Sequence, residues 1–338
     1  MIVSRAPLRL GLAGGGTDVE PYVSIFGGEV LNVTLNKFVF TQISESPSGQ
    51  LCLYDGSSDL QHTYFLSELP VEDNSLMLCI YRYMFDKYGD SIYKPLDIRT
   101  YSEVPFGSGL GGSSTATVSM MKGLFFYFGI EVDSYELAAK AFHVERNVFG
   151  LTGGAQDQYA AVFGGVNHLE FSADSVVVNS LRVRNSIMLS LESKLMLYYT
   201  GTSRASAKII EGQIENQKQS VSSTIEALHR VRENVTLMKE ALLKGDFEKL
   251  YLVINSGWQD KKDLSSQISS TSIDDTYDRI MAAGAFGGKI SGAGGGGFMW
   301  FLAPLNKHRD IKLALKDNPG YFLEGKFSDL GAEAWYEV

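Results

Sequence analysis

The chain has 338 residues with 44% hydrophobic and 20% charged side chains, the balance of a folded protein large enough for more than one core, and its formal net charge of −9 argues against a nucleic-acid partner, which selects a basic face. No apolar run reaches the ~20 residues that a membrane span needs, and the N-terminus, Met1 to Leu10, lacks the apolar core and small-residue cleavage site of a leader peptide. Cys52 and Cys79 are too few and too isolated for a disulfide framework or a metal cluster, so a small-molecule protein of the reducing cytoplasm is expected.

Val30 to Ser44 is rich in β-branched and aromatic residues and reads as a strand; Leu76 to Tyr88 reads as a helix, and Leu96 to Glu103 as a strand running into a glycine loop. Thr115 to Phe128 is apolar nearly all round, as a buried helix would be. Asp133 and Glu136 form a capping box for a helix expected to run to about Val148, and a short helix follows, ending near Gly164-Gly165. Lys194 to Thr200 reads as a strand, and Ser203 to Leu264 as mainly helical with breaks near Ser220 and Gly245. Ser272 to Ala283 and Lys307 to Lys316 read as helices. Lys289 to Leu302 reads as a strand with glycines inside it, and the tail alternates as a strand. Mixed elements followed by helix pairs and β-α-β predict an α+β chain of two closely packed domains, since no linker marks a junction. The segment from Leu51 to Leu60 is lid-like.

Glycine is bunched at Gly11 to Gly16, Gly107 to Gly112, Gly150 to Gly154 and Gly284 to Gly297, which suggests close approach of backbone to ligand. The clearest case is PFGSGLGGSS, Pro105 to Ser114, between a predicted strand and a predicted helix. Glycines there let backbone N–H groups approach an oligophosphate, the helix N-terminus adds partial positive charge, and Ser113, Ser114 and Thr115 add hydroxyls. The same stretch satisfies G-x-G-x-x-G at Gly107, Gly109 and Gly112, with Glu131 about 20 residues on, as a dinucleotide site would. The leading Pro105 and trailing Ser-Ser-Thr weigh against that rival, and it leaves the other glycine clusters unexplained. A Walker A loop is excluded, because Lys289 is followed by Ile290 and the leading glycine is missing.

Three stretches taken together resemble the GHMP kinases, named for galactokinase, homoserine kinase, mevalonate kinase and phosphomevalonate kinase. RAPLRLGLAGGGTD from Arg5 to Asp18, PFGSGLGGSS, and KISGAGGGGFMWFL from Lys289 to Leu302 are similar to the family's first, second and third motifs, in its order and at its spacing. The resemblance implies a two-domain fold: a ribosomal protein S5 domain 2-like ATP-binding domain over 1–185 and a ferredoxin-like α+β domain over 186–338. It implies ATP and Mg2+, with Pro105, Gly107, Ser108, Gly109, Leu110, Gly111, Gly112, Ser113 and Ser114 around the phosphates. Galactokinases carry Glu-His where this chain has Gly15-Gly16. AGGGTD, GGEVLN at Gly27 to Asn32 and YYTGTSR at Tyr198 to Arg204 resemble instead the branch of bacterial D-glycero-D-manno-heptose 7-phosphate kinases. L-Fucokinase-like domains share part of the pattern. The implied reaction moves the γ-phosphoryl of ATP to the anomeric hydroxyl of heptose 7-phosphate, on the route to nucleotide-activated heptose for surface polysaccharide.

Two acids suit phosphoryl transfer, which needs charge neutralisation and a proton acceptor. Glu145 interrupts an apolar helix face formed with Ala138, Ala141, Phe142, Val148 and Phe149, so it must be paired, protonated or bound to a metal. The resemblance makes it the magnesium ligand, with the Ser113 hydroxyl; a structural ion pair is the alternative. Asp157 falls in a first helical turn, a common place for Asp, where the helix end keeps it ionised. The resemblance of GGAQDQ to the galactokinase segment makes it the catalytic base and makes Arg9 its partner. Asp18 is implied as a ligand of sugar hydroxyls, with helix capping as its alternative. Gly14, Gly15, Gly16 and Thr17 are expected to leave room for a bulky acceptor, and Gly294 of the third motif to approach it. Arg204 suits bidentate binding of a distal phosphate, with Lys208 to assist and Lys261 and Lys262 as weaker candidates; a solvated Arg is the alternative. Trp258, Tyr198 and Tyr199 read as core. Two competing functions are an NAD-dependent oxidoreductase and a non-catalytic sensor on a kinase fold. The retention of Glu145, Asp157 and the glycine loops disfavours the sensor.

Overall fold

The computed structural model describes residues 1–56, 60–69, 75–201, 206–218 and 222–338. Its first half runs β1 (Ile2–Ala13), α1 (Tyr22–Phe26), β2 (Gly28–Glu45), β3 (Leu51–Asp55), β4 (Leu60–Tyr64), α2 (Leu76–Tyr88), β5 (Leu96–Ser102), α3 (Gly112–Phe128), α4 (Ser134–Phe142), α5 (Gln156–Phe163), β6 (Val166–Phe171) and β7 (Val176–Ser180). The second half runs α6 (Asn185–Glu192), β8 (Leu195–Tyr199), α7 (Ser206–Lys218), α8 (Ser222–Lys244), α9 (Phe247–Lys262), α10 (Thr271–Ala282), β9 (Gly287–Ile290), β10 (Phe298–Leu302), α11 (His308–Ala314), β11 (Tyr321–Leu323) and β12 (Glu333–Tyr336). Among the described residues no helix is long and apolar enough to cross a membrane.

Eight strands form one mixed sheet in the order β12-β1-β2-β5-β3-β4, with β6 and β7 branching from β2. The branch exists because β2 is long: Gly28 to Val33 pairs with β6, and Val39 to Glu45 pairs with β5. Among the described residues only the β3–β5 pairing is parallel. A four-stranded antiparallel sheet, β11-β8-β10-β9, carries the second half. The last strand, β12, pairs with β1 and so returns the chain to the first sheet.

Three apolar clusters hold these layers. One packs α2, α3 and α4 on the first sheet, with Ile43, Tyr81, Met121 and Leu124 at its centre. Here α3 lies so close that a Cβ at Gly123 would stand 2.6 Å from Ser4 Oγ. A second joins the two halves through Leu8, Leu10, Val33, Met238, Ile254 and Trp300. The third lies mainly in the second half, joined by Tyr22 from the first, and Trp258 and Tyr198 are core there as expected.

Most predicted elements stand close to their expected bounds, but three differ. The helix after Asp133 does not run straight to Val148. Asp133 caps it as expected, accepting from Glu136 N–H at 2.8 Å, but α4 gives way to a π-helical turn over His143–Val148, where Phe149 N–H donates to Val144 O at 2.9 Å. An inserted residue of this kind leaves the apolar periodicity nearly intact and is invisible to it. The strand expected from Lys289 to Leu302 is a hairpin, β9 and β10, because its glycines form a loop with left-handed backbone at Gly292 and Gly294 to Gly297. The segment from Leu51 to Leu60 builds the β3–β4 edge of the sheet, and residues 57–59 lie outside the described residues. The helix expected to Phe128 ends there: α3 runs to Phe128, Gly129 caps it, and Glu131 follows in a loop, so the strand that a dinucleotide-type β-α-β arrangement would need before Glu131 is absent.

Candidate active site

A cleft of about 510 Å³ opens where β1, the N-terminus of α3, the loop before α5, the α8–α9 pair and the β9–β10 loop converge. One wall is the phosphate-type loop. Gly107, Gly109, Gly111, Gly112, Ser113 and Ser114 all face it. The 17-residue α3 starts there from Gly111, at φ +81°, with no side chain capping its first N–H groups. By contrast Ser75, Asp133, Asp246 and Ser270 cap α2, α4, α9 and α10 with side-chain oxygens. The first turn of α3 therefore presents open backbone donors to the cleft, the arrangement that suits an anion.

The loop's shape is held from behind by the β9–β10 loop. Ser291 Oγ donates to Gly109 O at 2.9 Å, and Phe298 N–H donates to Ser108 O at 2.8 Å. A Cβ on Gly292 would come within 2.7 Å of Gly109 Cα, so only glycine permits the two backbones to meet.

Arg9, on β1 and 5% exposed, crosses between the loop and α5. Its Nε donates to Asp157 Oδ1 at 2.7 Å and its Nη1 to Gly109 O at 2.7 Å. Asp157 lies directly behind the phosphate-type loop: a Cβ at Gly111 would stand 3.2 Å from its carboxylate. Next to it, Asp18 accepts from Gln156 N–H at 3.1 Å, Gln156 Nε2 at 3.1 Å and Gly16 N–H at 3.2 Å. Burial, and the charge of Asp157 to a smaller extent, push the Asp18 carboxyl up; the backbone N–H groups of Gln156 and Gly16 hold it down.

Glu145 sits in the π-helical turn and is fully buried. Ser113 Oγ donates to its Oε1 at 2.8 Å, Gln158 Nε2 donates to its Oε2 at 2.6 Å, and Arg146 Nη1 lies 3.3 Å from Oε1. Both Glu145 and Ser113 line the cleft beside the open end of α3. This donor set fits magnesium, which takes few protein carboxylates and completes its shell with water and phosphate oxygens. Gln158 Oε1, buried and without a partner, adds one more unsatisfied oxygen beside the carboxylate.

Two lysines complete the floor. Lys289, on β9 and 9% exposed, donates to Leu12 O at 2.7 Å. Lys261, near the end of α9, donates to Gly292 O. Burial and then the Arg9 charge push Lys261 down to about 8, with Asp18 opposing. Burial, followed by the charges of Lys261 and Arg9, depresses Lys289 well below the usual lysine range.

Residues 75–165 match the GHMP kinase N-terminal domain and residues 238–319 the GHMP kinase C-terminal domain. A D-glycero-alpha-D-manno-heptose 7-phosphate kinase of Campylobacter jejuni is 36% identical over 99% of this chain and 98% of its own length. The chain belongs to the GHMP kinase family. A crystal structure described as a D-glycero-D-manno-heptose 1-phosphate kinase of Bacteroides thetaiotaomicron superposes with a TM-score of 0.83 at 34% identity, covering 100% of each chain. An L-fucokinase/L-fucose-1-P guanylyltransferase of Bacteroides fragilis is 25% identical over 98% of this chain but only 38% of its own length. Family membership and the loop after Gly129 together replace the oxidoreductase alternative: this GHMP kinase is a phosphotransferase with an alcohol acceptor.

Within the GHMP kinase fold the expected residues divide. Arg9, Asp157, Glu145, Asp18, Gly14, Gly15 and Gly16 line the cleft with the six loop residues named above. Pro105, Ser108 and Leu110 are not in its wall; Leu110 is buried in the core between the two halves, and Ser108 serves through its carbonyl. Thr17 spends its hydroxyl on Gly14 O and Glu29 O, at 2.9 and 2.8 Å, so it shapes the loop and does not face the cleft. Gly294 packs on the loop before α10, where a Cβ would stand 2.9 Å from Ile268 Cα. Arg204 lies outside the described residues, as does the side chain of Lys208. Sequence reasoning missed Lys289, Arg146, Gln156 and Gln158. The last two stand on either side of Asp157 in the segment already singled out, and Lys289 opens the third motif, so position alone marked them.

Proposed function

We propose that this GHMP kinase transfers the γ-phosphoryl of ATP to the anomeric hydroxyl of D-glycero-D-manno-heptose 7-phosphate, giving the 1,7-bisphosphate for nucleotide-activated heptose in the cytoplasm. The observation that carries the chemistry is the Arg9–Asp157 pair at 2.7 Å, fastened to the carbonyl of Gly109 in the phosphate-type loop. Asp157 takes the proton of the attacking hydroxyl. Arg9 orients Asp157 and brings positive charge to the path between nucleotide and acceptor. The N–H groups at the start of α3 and the loop glycines hold the phosphates. Glu145 and Ser113 would hold magnesium, which neutralises charge on the nucleotide phosphates when bound. Asp18 and the Gly14 to Gly16 loop orient the sugar on the opposite side. The full-length Campylobacter jejuni relative supports the acceptor.

The descriptions of the two bacterial heptose-kinase relatives differ in which phosphate the acceptor already carries. An ADP-release screen over heptose 7-phosphate, heptose 1-phosphate, free heptoses, galactose, fucose and mevalonate, with Mg-ATP, separates the possibilities. The proposal expects the largest kcat/KM with the 7-phosphate and a product phosphorylated at C1. A preference for any other acceptor overturns the assignment while leaving the kinase chemistry standing.

A further inference from the structure

Lys261 and Lys289 have no role in the reading above, and their setting calls for one. A buried ammonium is stable only when paired or fully hydrogen-bonded. Among the described residues neither lysine has a carboxylate within 4.0 Å. Each donates to a single backbone carbonyl, Leu12 O for Lys289 and Gly292 O for Lys261, so two N–H donors on each ammonium are left over. Both line the cleft. The carboxylates there are already engaged: Asp157 by Arg9, Glu145 by Ser113, Gln158 and Arg146, and Asp18 by Gln156 and Gly16. The spare N–H donors of the two amines therefore face the open volume and match an incoming anion.

Position narrows which anion. The partner of Lys261 is Gly292, whose backbone abuts Gly109 of the phosphate-type loop, and Arg9 donates to the same Gly109. The partner of Lys289 is Leu12, three residues along β1 from Arg9. Both amines are thus anchored beside Arg9, Lys261 through the backbone that abuts the carbonyl Arg9 holds and Lys289 through the strand that carries Arg9. We propose that Lys261 and Lys289 form, beside Arg9, a seat for the phosphoryl group in transit between ATP and the acceptor. The inference rests on the kinase reading and adds two residues that touch the reacting group. In the step itself the bond from the terminal phosphorus to the ADP oxygen breaks as the bond to the acceptor oxygen forms. The acceptor's proton passes to Asp157, and ADP keeps the electron pair and the charge. The lysines gain and lose no covalent bond; they meet charge on the equatorial oxygens.

The test compares Lys261→Met, Lys289→Met and Lys261→Arg with the wild type. Each Met variant is expected to lose ~10²- to 10³-fold in kcat, the scale for removing one preorganised donor, with KM for both substrates nearly unchanged. Lys261→Arg retains most of the rate. Binding gives an independent readout: Mg-ADP with aluminium fluoride and the acceptor sugar mimics the transferring phosphoryl. The Met variants should weaken that complex by the same factor and leave Mg-ADP alone unaffected. Lys289 ties β9 to β1, so its variant is read only if its melting curve stays cooperative; Lys261→Met carries the test otherwise. Unchanged binding of the fluoride complex overturns the proposal. So does a rise in KM for a phosphorylated acceptor with kcat retained, which would assign the lysines to the acceptor's own phosphate. A wild-type protein that turns over none of the acceptors would instead refute the kinase reading itself.

Discussion

Arg9 holds a carboxylate and a loop carbonyl at once, so its removal should free both Asp157 and the phosphate-type loop. Asp157→Asn keeps the shape but cannot accept a proton, and is expected to cost on the order of 10²–10⁴ in kcat with Mg-ATP affinity retained. Isothermal titration beside steady-state rates checks both halves; near-normal turnover would remove Asp157 as the base. Glu145→Gln should raise the magnesium concentration for half-maximal rate by at least about tenfold, as measured by metal titration of the rate. Lys261 offers a pH test. Its value in the folded protein is about 8 against an ordinary 10.5, so between those limits the unfolded chain binds more protons. Stability referred to this group therefore rises from about pH 8 towards pH 10.5 and is flat below. The difference in urea midpoint between wild type and Lys261→Met should follow that rise, and a difference independent of pH would contradict it. Glu145 was legible because it interrupts an apolar helix face, whereas Asp157, in an ordinary first-turn position, was singled out only through the resemblance of GGAQDQ to the galactokinase segment. Lys289 was not legible, because its partner Leu12 lies 277 positions away and only the fold joins them.

Two glycine-rich turns, far apart in sequence, make one surface where the β9–β10 loop supports the start of α3. Gly292, at φ +70° and against Gly109, is one of the close points of that contact. Gly292→Ala should push the phosphate-type loop out of place and raise KM for ATP by tenfold or more, a change of about 1.4 kcal/mol in binding. Gly129→Ala is the control. It has the same backbone sign, φ +65°, but open space around it at the far end of α3, so it should cost about 1–2 kcal/mol of stability and leave KM unchanged. Equal effects of the two substitutions on KM would contradict the contact. The helices were legible from apolar spacing and capping residues, and α2 from Ser75 onward follows the pattern residue by residue. The π-helical turn and the β9–β10 hairpin were not. One is a register insertion and the other a set of backbone angles open only to glycine, and neither changes the order of apolar residues.

The cleft exists because the two sheets share a core through β1, α8 and α9, so its walls come from both halves of the chain. We propose the division of 1–185 and 186–338 as its two units, with β12 as the strand that returns across it; limited proteolysis should nick near residue 185 before it cuts within either core. Mg-ATP should stabilise the whole molecule by about 2.7 kcal/mol at a hundredfold excess over Kd, seen as a rise in Tm, whereas NAD should give none. The family was readable from three motifs whose order and spacing survive without the fold. The acceptor was less so, since Arg204, the residue expected at a distal phosphate, lies outside the described residues. The most direct test of the account is the release of ADP from Mg-ATP on adding D-glycero-D-manno-heptose 7-phosphate, wild type against Asp157→Asn. The account predicts acceptor-dependent release by the wild type, a bisphosphate as product, and a loss of ~10²-fold or more in the variant; release that is independent of the acceptor, or equal in the two proteins, would contradict it.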